Sequence, residues 1–406
     1  MAGKRPNPKL QAKDIRVAKS LRKIMDVLRP LHDHKDCPNR KLHFDEFIAY
    51  LLLYFFNPIV TSLRGLEQVS GLKTITEKLG LPRFTISSFS EASRVFDPSL
   101  LEPLIAELAR QARDAGVDPR LAALELAATA VDGTLIRAMP KMTWALWCDS
   151  QNRAAKAHVE FSLVDGVPVR ATVTDANTSE RRVLMDTLTA GKLYVLDAGY
   201  VQYALMAAIL EAGSSFLVRM KLNCAYEVIE ELPISPEARE HGVQRDVKVT
   251  LGSANKPELH EKTVRLVEVH VRDLNALLGR PPRRSKMDRK TKSVRTTASD
   301  HTVLLATDDL ELDATLIADL YRYRWQVELF FRWFKMILSA DHLILLSQNG
   351  LTHVVYCGLI VSLLIALWTG RKPTKRTYEM LCLYFAGWAD EEELEAHIRG
   401  LEKNGK

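Results

Sequence analysis

Cysteine is scarce in this chain. Its five cysteines (Cys37, Cys148, Cys224, Cys357 and Cys382) are scattered over 406 residues, odd in number, and no pair has zinc-finger spacing. That usage excludes a disulfide framework and fits structural thiols in a reducing compartment. Long apolar runs are missing too. The most apolar stretch, residues 354–368, has 15 residues. A bilayer span needs about 20, so a buried helix is expected, with no membrane partner. Residues 1–24 lack the apolar core of a secretory signal, and a cytoplasmic location is expected. No internal repeat is present. Hydrophobic residues make up 47% and charged residues 26%, which excludes fibrous and wholly disordered chains.

Net charge is small as well, +6, but it is unevenly placed. Residues 1–24 hold eight basic groups, among them Arg16 and Lys19, against Asp14 alone, for a local +7. Residues 280–295 hold eight more, among them Arg283, Arg284 and Lys290, against Asp288, again +7. The rest of the chain therefore carries −8. Two concentrated basic blocks on a mildly acidic body point to a polyanion partner, or else to a solvated tail and loop.

Periodicity divides the chain. Leu21, Met25, Leu28 and Leu31 follow one another at helical steps and predict a basic amphipathic helix. Further helices are expected over 44–56, 62–71, 73–80, 87–96 and 99–115, separated by Gly and Pro stops. Near residue 121 the texture turns to strands: 124–131 ending in Asp132-Gly133, then 157–164 and 167–173 joined through Asp165-Gly166, an antiparallel meander. A helix over 179–188 follows, then a short buried strand over 193–196 ending at Asp197, and a helix over 203–212. Residues 216–306 are β-rich, 310–338 form a long helix or helix pair, and the chain is helical from 351.

Three acids stand out by position. Asp132 and Asp197 end strands expected to lie side by side, at the sheet edge where ligands gather in open α/β folds. Glu328 belongs to the long helix. At about 100° per residue, Tyr321, Arg324, Glu328 and Lys335 share one polar stripe. It runs between an apolar flank of Val327, Phe331, Phe334 and Leu338 and another of Trp325, Leu329 and Met336. Charges buried that way must be paired or used. One account is an internal Arg-Glu-Lys network. The other is a pocket of three carboxylates whose mutual repulsion a divalent cation would relieve. Oxygen-only ligands suit Mg²⁺ or Mn²⁺. Two such ions can activate an attacking oxygen and stabilise a leaving oxygen at a phosphodiester, with Tyr321, Arg324 and Lys335 holding phosphates.

Other residues compete for attention. Asp149, Asp165 and Asp175 are rival acids, Asp165 better explained by its turn and Asp175 by capping or a loop. Glu180 is expected mainly as a helix cap, with a supporting role behind the three acids as the lesser alternative. His158 is expected as a satisfied strand histidine. His32, His34, Cys37 and His43 cluster without any trusted zinc spacing.

The run from Tyr321 through Arg324 and Glu328 to Lys335 resembles the Tyr-x2-Arg-x3-Glu-x6-Lys signature of the insertion-sequence four family of bacterial DDE transposases. Val131-Asp132-Gly133-Thr134 resembles that family's first-Asp motif, and Leu196-Asp197-Ala198-Gly199-Tyr200 its second. The spacings agree: 65 residues from Asp132 to Asp197, then 131 to Glu328, the longer gap matching the family's β-rich insertion. The resemblance spans roughly 121–345. It implies an α/β fold with a ribonuclease H-like core (121–215 and 307–350) interrupted by the insertion (216–306). A helical DNA-binding region (1–120) precedes the core and a helical region (351–406) follows it. It further implies Asp132, Asp197 and Glu328 as catalytic, holding two Mg²⁺ or Mn²⁺ ions, and cut-and-paste strand cleavage and transfer at terminal inverted repeats. Double-stranded DNA would be the partner, with a homodimer pairing two ends in a bacterial cytoplasm. One departure is clear. Family members that cut through a hairpin use a tryptophan late in the insertion, and none of the six tryptophans lies in 216–306. A catalytically silent DNA-binding descendant and another two-metal nuclease, such as a resolvase, stay open as alternatives.

Overall fold

The computed structural model describes residues 28–32, 41–57, 59–112, 117–137, 142, 144–147, 153–252, 259, 262–271, 301–338 and 343–403. The basic residues Arg16, Lys19, Arg283, Arg284 and Lys290 lie outside them, as do His34 and Cys37. The chain divides into two compact units.

The first unit joins residues 1–113, 136–155 and 333–406. Its helices are α1 (Phe44–Phe56), α2 (Leu63–Ser70), α3 (Ile86–Val95) and α4 (Glu102–Gln111), and, after the second unit, α10 (Gln348–Thr369), α11 (Lys375–Phe385) and α12 (Glu391–Lys403). Helix α1 is buried on nearly every side because eleven of its thirteen residues are apolar or aromatic. Helix α10 packs on α1, α3 and α4. Its 22 residues exceed the 15-residue run visible in the sequence and are long and apolar enough to cross a membrane. Most of them are instead buried inside this unit, from Leu351 to Ala366. The stretch expected as a helix over 73–80 is a single π turn, Thr74–Lys78.

The second unit joins residues 114–135 and 156–332. It is built on a mixed sheet of β1 (Ala127–Arg137), β3 (Arg153–Ser162), β4 (Val167–Asp175), β5 (Lys192–Leu196), β6 (Ser215–Met220), β7 (Tyr226–Glu231), β8 (Val243–Leu251), β9 (Thr263–Val271) and β10 (His301–Thr307). The strand order is β3-β1-β5-β6-β10-β9-β8-β7, with β4 paired to β3. A two-residue β2 (Leu146–Trp147) pairs with the first residues of β3, within the first unit. Strands β1, β5 and β6 run parallel, and β6 through β7 alternate antiparallel. The strands of residues 216–306 thus extend the same sheet. Gly166 takes φ 70° in the β3–β4 turn, where any side chain would be strained.

Four helices complete this unit: α5 (Glu180–Asp186), α6 (Tyr203–Glu211), the short α7 (Pro236–Glu240) and α8 (Ala314–Tyr323); α9 (Trp325–Ile337) begins in it. Leu205, Met206 and Ile209 of α6 pack with Tyr194, Leu196, Phe216 and Val218. Helix α8 packs on β5, β6, β8 and β9. Leu193, Tyr194, Val195 and Leu196 are all buried, as expected for a strand covered on both faces. The long helical stretch is two helices broken between Tyr323 and Trp325. Arg324 sits at the junction, its amide bonded to Leu320 O at 3.2 Å.

Candidate active site

The parallel register of β1 and β5 pairs Ala130 with Val195. The pairing ends two residues short of Asp132 and Asp197, and the charge of Asp197 is felt at Asp132. Strand β1 does not stop at Asp132. It runs on to Arg137, because Thr134 and Ile136 keep an inward-facing alternation with Leu135 outward. What ends near Asp132 is the fully buried segment, residues 128–131. The Asp132 carboxylate accepts from Gly133 N at 2.8 Å. Asp197 caps the 3₁₀ turn Ala198–Tyr200 and accepts from Gly199 N at 2.7 Å.

Arg324 ties the first acid to the helix. Its guanidinium is buried, with a side chain 4% exposed. One amino group donates to Glu328 Oε1 at 2.9 Å and the other faces Asp132 Oδ2 at 3.8 Å. The guanidinium also lies 5.7 Å from the Tyr321 ring centroid. One cation therefore faces both Asp132 and Glu328. Tyr321 is itself buried, and its hydroxyl has no hydrogen-bond partner. Lys335 is exposed, two turns beyond Glu328, on the part of α9 that belongs to the first unit.

A fourth carboxylate joins these groups. Glu180, at the start of α5, lies over Gly133: a Cβ built there would come 2.6 Å from Glu180 Oε1. A side chain at 133 would require the flexible, partly exposed end of Glu180 to swing aside. Lys156 Nζ stands 3.4 Å from the same Glu180 oxygen. Ser179, at the helix cap, makes no side-chain capping bond. The sequence signal for Glu180 was only its place as first residue of a helix after a strand, which capping explains equally well.

Four acids against Arg324 and Lys156 leave the cluster net negative. Burial lifts the Asp132 pKa up to about 7. Arg324 and the Gly133 amide oppose that rise, and the charges of Asp197 and Glu180 add to it. Burial also pushes the Tyr200 hydroxyl well above its usual range, with Glu180, Asp132 and Asp197 reinforcing the effect. That hydroxyl has no hydrogen-bond partner. Oxygen donors are what a hard divalent cation takes, and such an ion would have to displace the proton that burial favours on Asp132. Among the described residues no three His, Cys, Asp or Glu side chains already stand at metal-ligand spacing; Glu328 is engaged by Arg324 instead.

The rival residues have local roles. Asp165 accepts from Ser162 Oγ at 2.9 Å in its turn, and Asp175 accepts from Asn177 N at 2.8 Å and from Thr178. His158 bonds Thr174 Oγ1 at 2.9 Å. In the first unit His32 stacks on His43 at 4.4 Å and pairs with Asp45 at 2.9 Å. Asp149 lies outside the described residues.

Comparison with known proteins shows the family of this chain. The family described as "Transposase DDE domain" matches residues 125–364. "Putative transposase y4zB" of Sinorhizobium fredii is 28% identical over 224 residues, 54% of this chain and 56% of that protein's length. "Probable transposase for insertion sequence element IS5377" of Geobacillus stearothermophilus is 23% identical over 307 residues, 73% of this chain and 71% of that protein. Among solved structures, the piggyBac transposase synaptic complex with hairpin DNA aligns over 97% of this chain and 84% of its own. The TM-score is 0.39 and the identity 8%, and at that level the likeness says nothing about the site. With more than half of its residues matched by the family, and with Asp132, Asp197 and Glu328 all inside the matched span, this chain belongs to the DDE-domain transposases.

Proposed function

We propose that this chain is a cut-and-paste DNA transposase of the insertion-sequence four group. Asp132, Asp197 and Glu328 would be its catalytic acids, and the core would be ribonuclease H-like. The observation that carries the reading is the single guanidinium facing both Asp132 and Glu328, residues 196 positions apart in sequence, with Asp197 just past the end of the strand that pairs beside β1. The sheet order supports the core assignment: a meander of β4, β3 and β1 continues into parallel β5 and β6.

Asp132, Asp197 and Glu328 would hold two Mg²⁺ or Mn²⁺ ions, which when bound would activate the attacking oxygen and stabilise the leaving oxygen of a phosphodiester. Asp132, whose pKa burial raises, would give up its proton on binding an ion. The Arg324 guanidinium, presented as a planar fork, would orient a backbone phosphate. Tyr321, whose hydroxyl is unspent, would add a donor, and Lys335 a point charge. Arg283, Arg284, Lys290, Arg16 and Lys19 would make salt-dependent phosphate contacts. Double-stranded DNA would be the partner, a homodimer would pair two ends, and the protein would work in the cytoplasm.

Glu328→Gln tests this reading. It should keep binding to DNA carrying the element's own ends, in a mobility-shift assay, while losing Mg²⁺-dependent strand cleavage on a denaturing gel. Cleavage at the wild-type rate would refute the assignment.

A further inference from the structure

Tyr323 lies inside the signature run without being part of the signature. It closes α8, directly before Arg324, and its hydroxyl donates to Asp118 Oδ2 at 2.7 Å. Asp118 caps the 3₁₀ turn Pro119–Ala123, which leads into β1, and accepts there from Arg120 N at 2.9 Å. The Arg120 guanidinium donates to the same Asp118 oxygen at 2.6 Å and holds that carboxyl well below its usual range. The tyrosine therefore meets an ionised acceptor, which makes the stronger kind of hydrogen bond. Arg120 also donates to Asp319 of α8, and Arg322 pairs with the other oxygen of Asp319 at 2.8 Å. The two arginines thus balance the two acids without Tyr323, and a phenylalanine at 323 would leave that balance untouched.

An independent observation gives the hydroxyl a use. The Arg324 guanidinium is held only loosely against β1. Its Nε has no hydrogen-bond partner among the described residues, and its 3.8 Å approach to Asp132 Oδ2 is longer than a hydrogen bond. The hydrogen bond it does make runs to Glu328, one turn along the same helical stretch, and a bond within a helix cannot set that helix against a strand. The neighbouring residue supplies that tie. The helix junction reaches the β1 segment twice, at Asp118 through Tyr323 and at Asp132 through Arg324. All of these residues lie in the second unit.

We infer that Tyr323 is a positioning residue: through its bond to Asp118 it fixes the junction of α8 and α9 against the lead-in of β1, and so sets the Arg324 guanidinium between Asp132 and Glu328. The inference rests on the reading of those two acids as catalytic and adds a pair, Tyr323 and Asp118, outside the signature. Displacing a reacting or orienting group by about 1 Å can cost on the order of a hundredfold in rate, so one hydroxyl away from the acids is enough to matter.

The test uses the full chain and DNA carrying the element's own ends. Single-turnover Mg²⁺-dependent cleavage, end binding by mobility shift and the thermal midpoint are read on each variant, with Glu328→Gln as the reference. Tyr323→Phe removes one hydroxyl and no charge. It should slow cleavage about tenfold or more, while end binding and the thermal midpoint stay near their wild-type values. Arg120→Ala strips the charge pairing but leaves the Tyr323–Asp118 bond. It should melt earlier than Tyr323→Phe and yet cleave close to the wild-type rate. A merely structural network would not give that crossing, since the less stable variant would also be the slower one. If Glu328→Gln cleaves like wild type, the reading of the acids falls and this inference with it. If Glu328→Gln is inactive while Tyr323→Phe cleaves at the wild-type rate, the acids stand and Tyr323 is not a positioning residue. Cleavage lost in both Tyr323→Phe and Arg120→Ala in step with their lost stability would make the network structural and would likewise overturn the proposal.

Discussion

Arg324 donates to Glu328 across one helical turn at 2.9 Å, from a guanidinium that is 4% exposed. The residue stands at the break between α8 and α9, so its backbone position is set by the end of one helix and its charge by the acid on the next. Removing it would leave Glu328 and Asp132, both about a quarter exposed, facing each other without a cation. Solvent screens part of that cost. Arg324→Ala should therefore lower metal-free stability by about 1–3 kcal/mol in urea unfolding, and Arg324→Lys should recover only part, because an ammonium cannot present two amino groups in a fixed fork. An unchanged midpoint in both would mean the pair contributes nothing to the fold.

A second ion pair is buried more deeply. Arg265 on β9 forks onto Asp246 of β8 with bonds of 2.8 and 2.7 Å, and the side chains are 8% and 2% exposed. Its remaining amino group donates to Leu310 O at 3.2 Å and to Leu312 O, fixing the turn that leads into α8. Arg265→Met should cost about 3–5 kcal/mol by stranding the Asp246 charge. The double change Asp246→Leu with Arg265→Met should restore most of that. A single substitution as mild as the double one would show that the pair is not what holds the turn.

These two pairs mark what a sequence reading can reach. Arg324 and Glu328 share a helical stripe, so four-residue spacing alone places them together. Asp132 and Asp197 end buried apolar segments, and that too is visible in the letters. Asp246 and Arg265 meet across strands whose register is set by a bulge between Val243 and Arg245, which no local pattern encodes. Strand β7 gives a weak signal because half of Tyr226–Glu231 is glutamate and all but Tyr226 is exposed, leaving Tyr226 and Val228 as its one apolar alternation. Glu180 was legible as a helix start, but its approach to Gly133 depends on two elements meeting in space.

Histidine burial gives the protein a direction of pH sensitivity. His353 on α10 is fully buried, with the rings of Phe44 and Phe47 against it; Nδ1 donates to Asn349 O at 2.8 Å and Nε2 has no partner. Burial pushes its pKa down to about 4, against small opposing effects from the Asn349 carbonyl and Asp97. The unfolded chain takes up this proton near pH 6.5, whereas the folded chain refuses it until about 4. The contribution to stability is thus complete above pH 6.5 and lost as pH falls through that window, on the order of 2–3 kcal/mol at its lower end. His353→Phe should flatten the fall in urea midpoint between pH 7 and pH 4. An equal slope in variant and wild type would place the acid sensitivity elsewhere, His158 being next, since burial and Lys156 hold it down to about 4 as well.

A close backbone approach in the helical unit tests packing rather than charge. Gly358 lies mid-way along α10, where a Cβ would come 2.8 Å from Phe334 Cε2 and 3.5 Å from Leu338 Cδ2. Helix propensity alone predicts that Gly358→Ala gains about 1 kcal/mol, because alanine orders at less entropic cost. Packing predicts the opposite. Phe334 is fully buried, its ring cannot give way as a flexible side-chain tip would, and overpacking a dense core costs about 1–3 kcal/mol. The two effects oppose each other, and at a contact this short the steric one should win. Gly358→Ala should therefore lower the urea midpoint, and Gly358→Ala combined with Phe334→Leu should lie above the sum of the two single changes. A stabilised Gly358→Ala would mean that α9 and α10 can separate by half an ångström at no cost, and that the glycine is not there to let them touch.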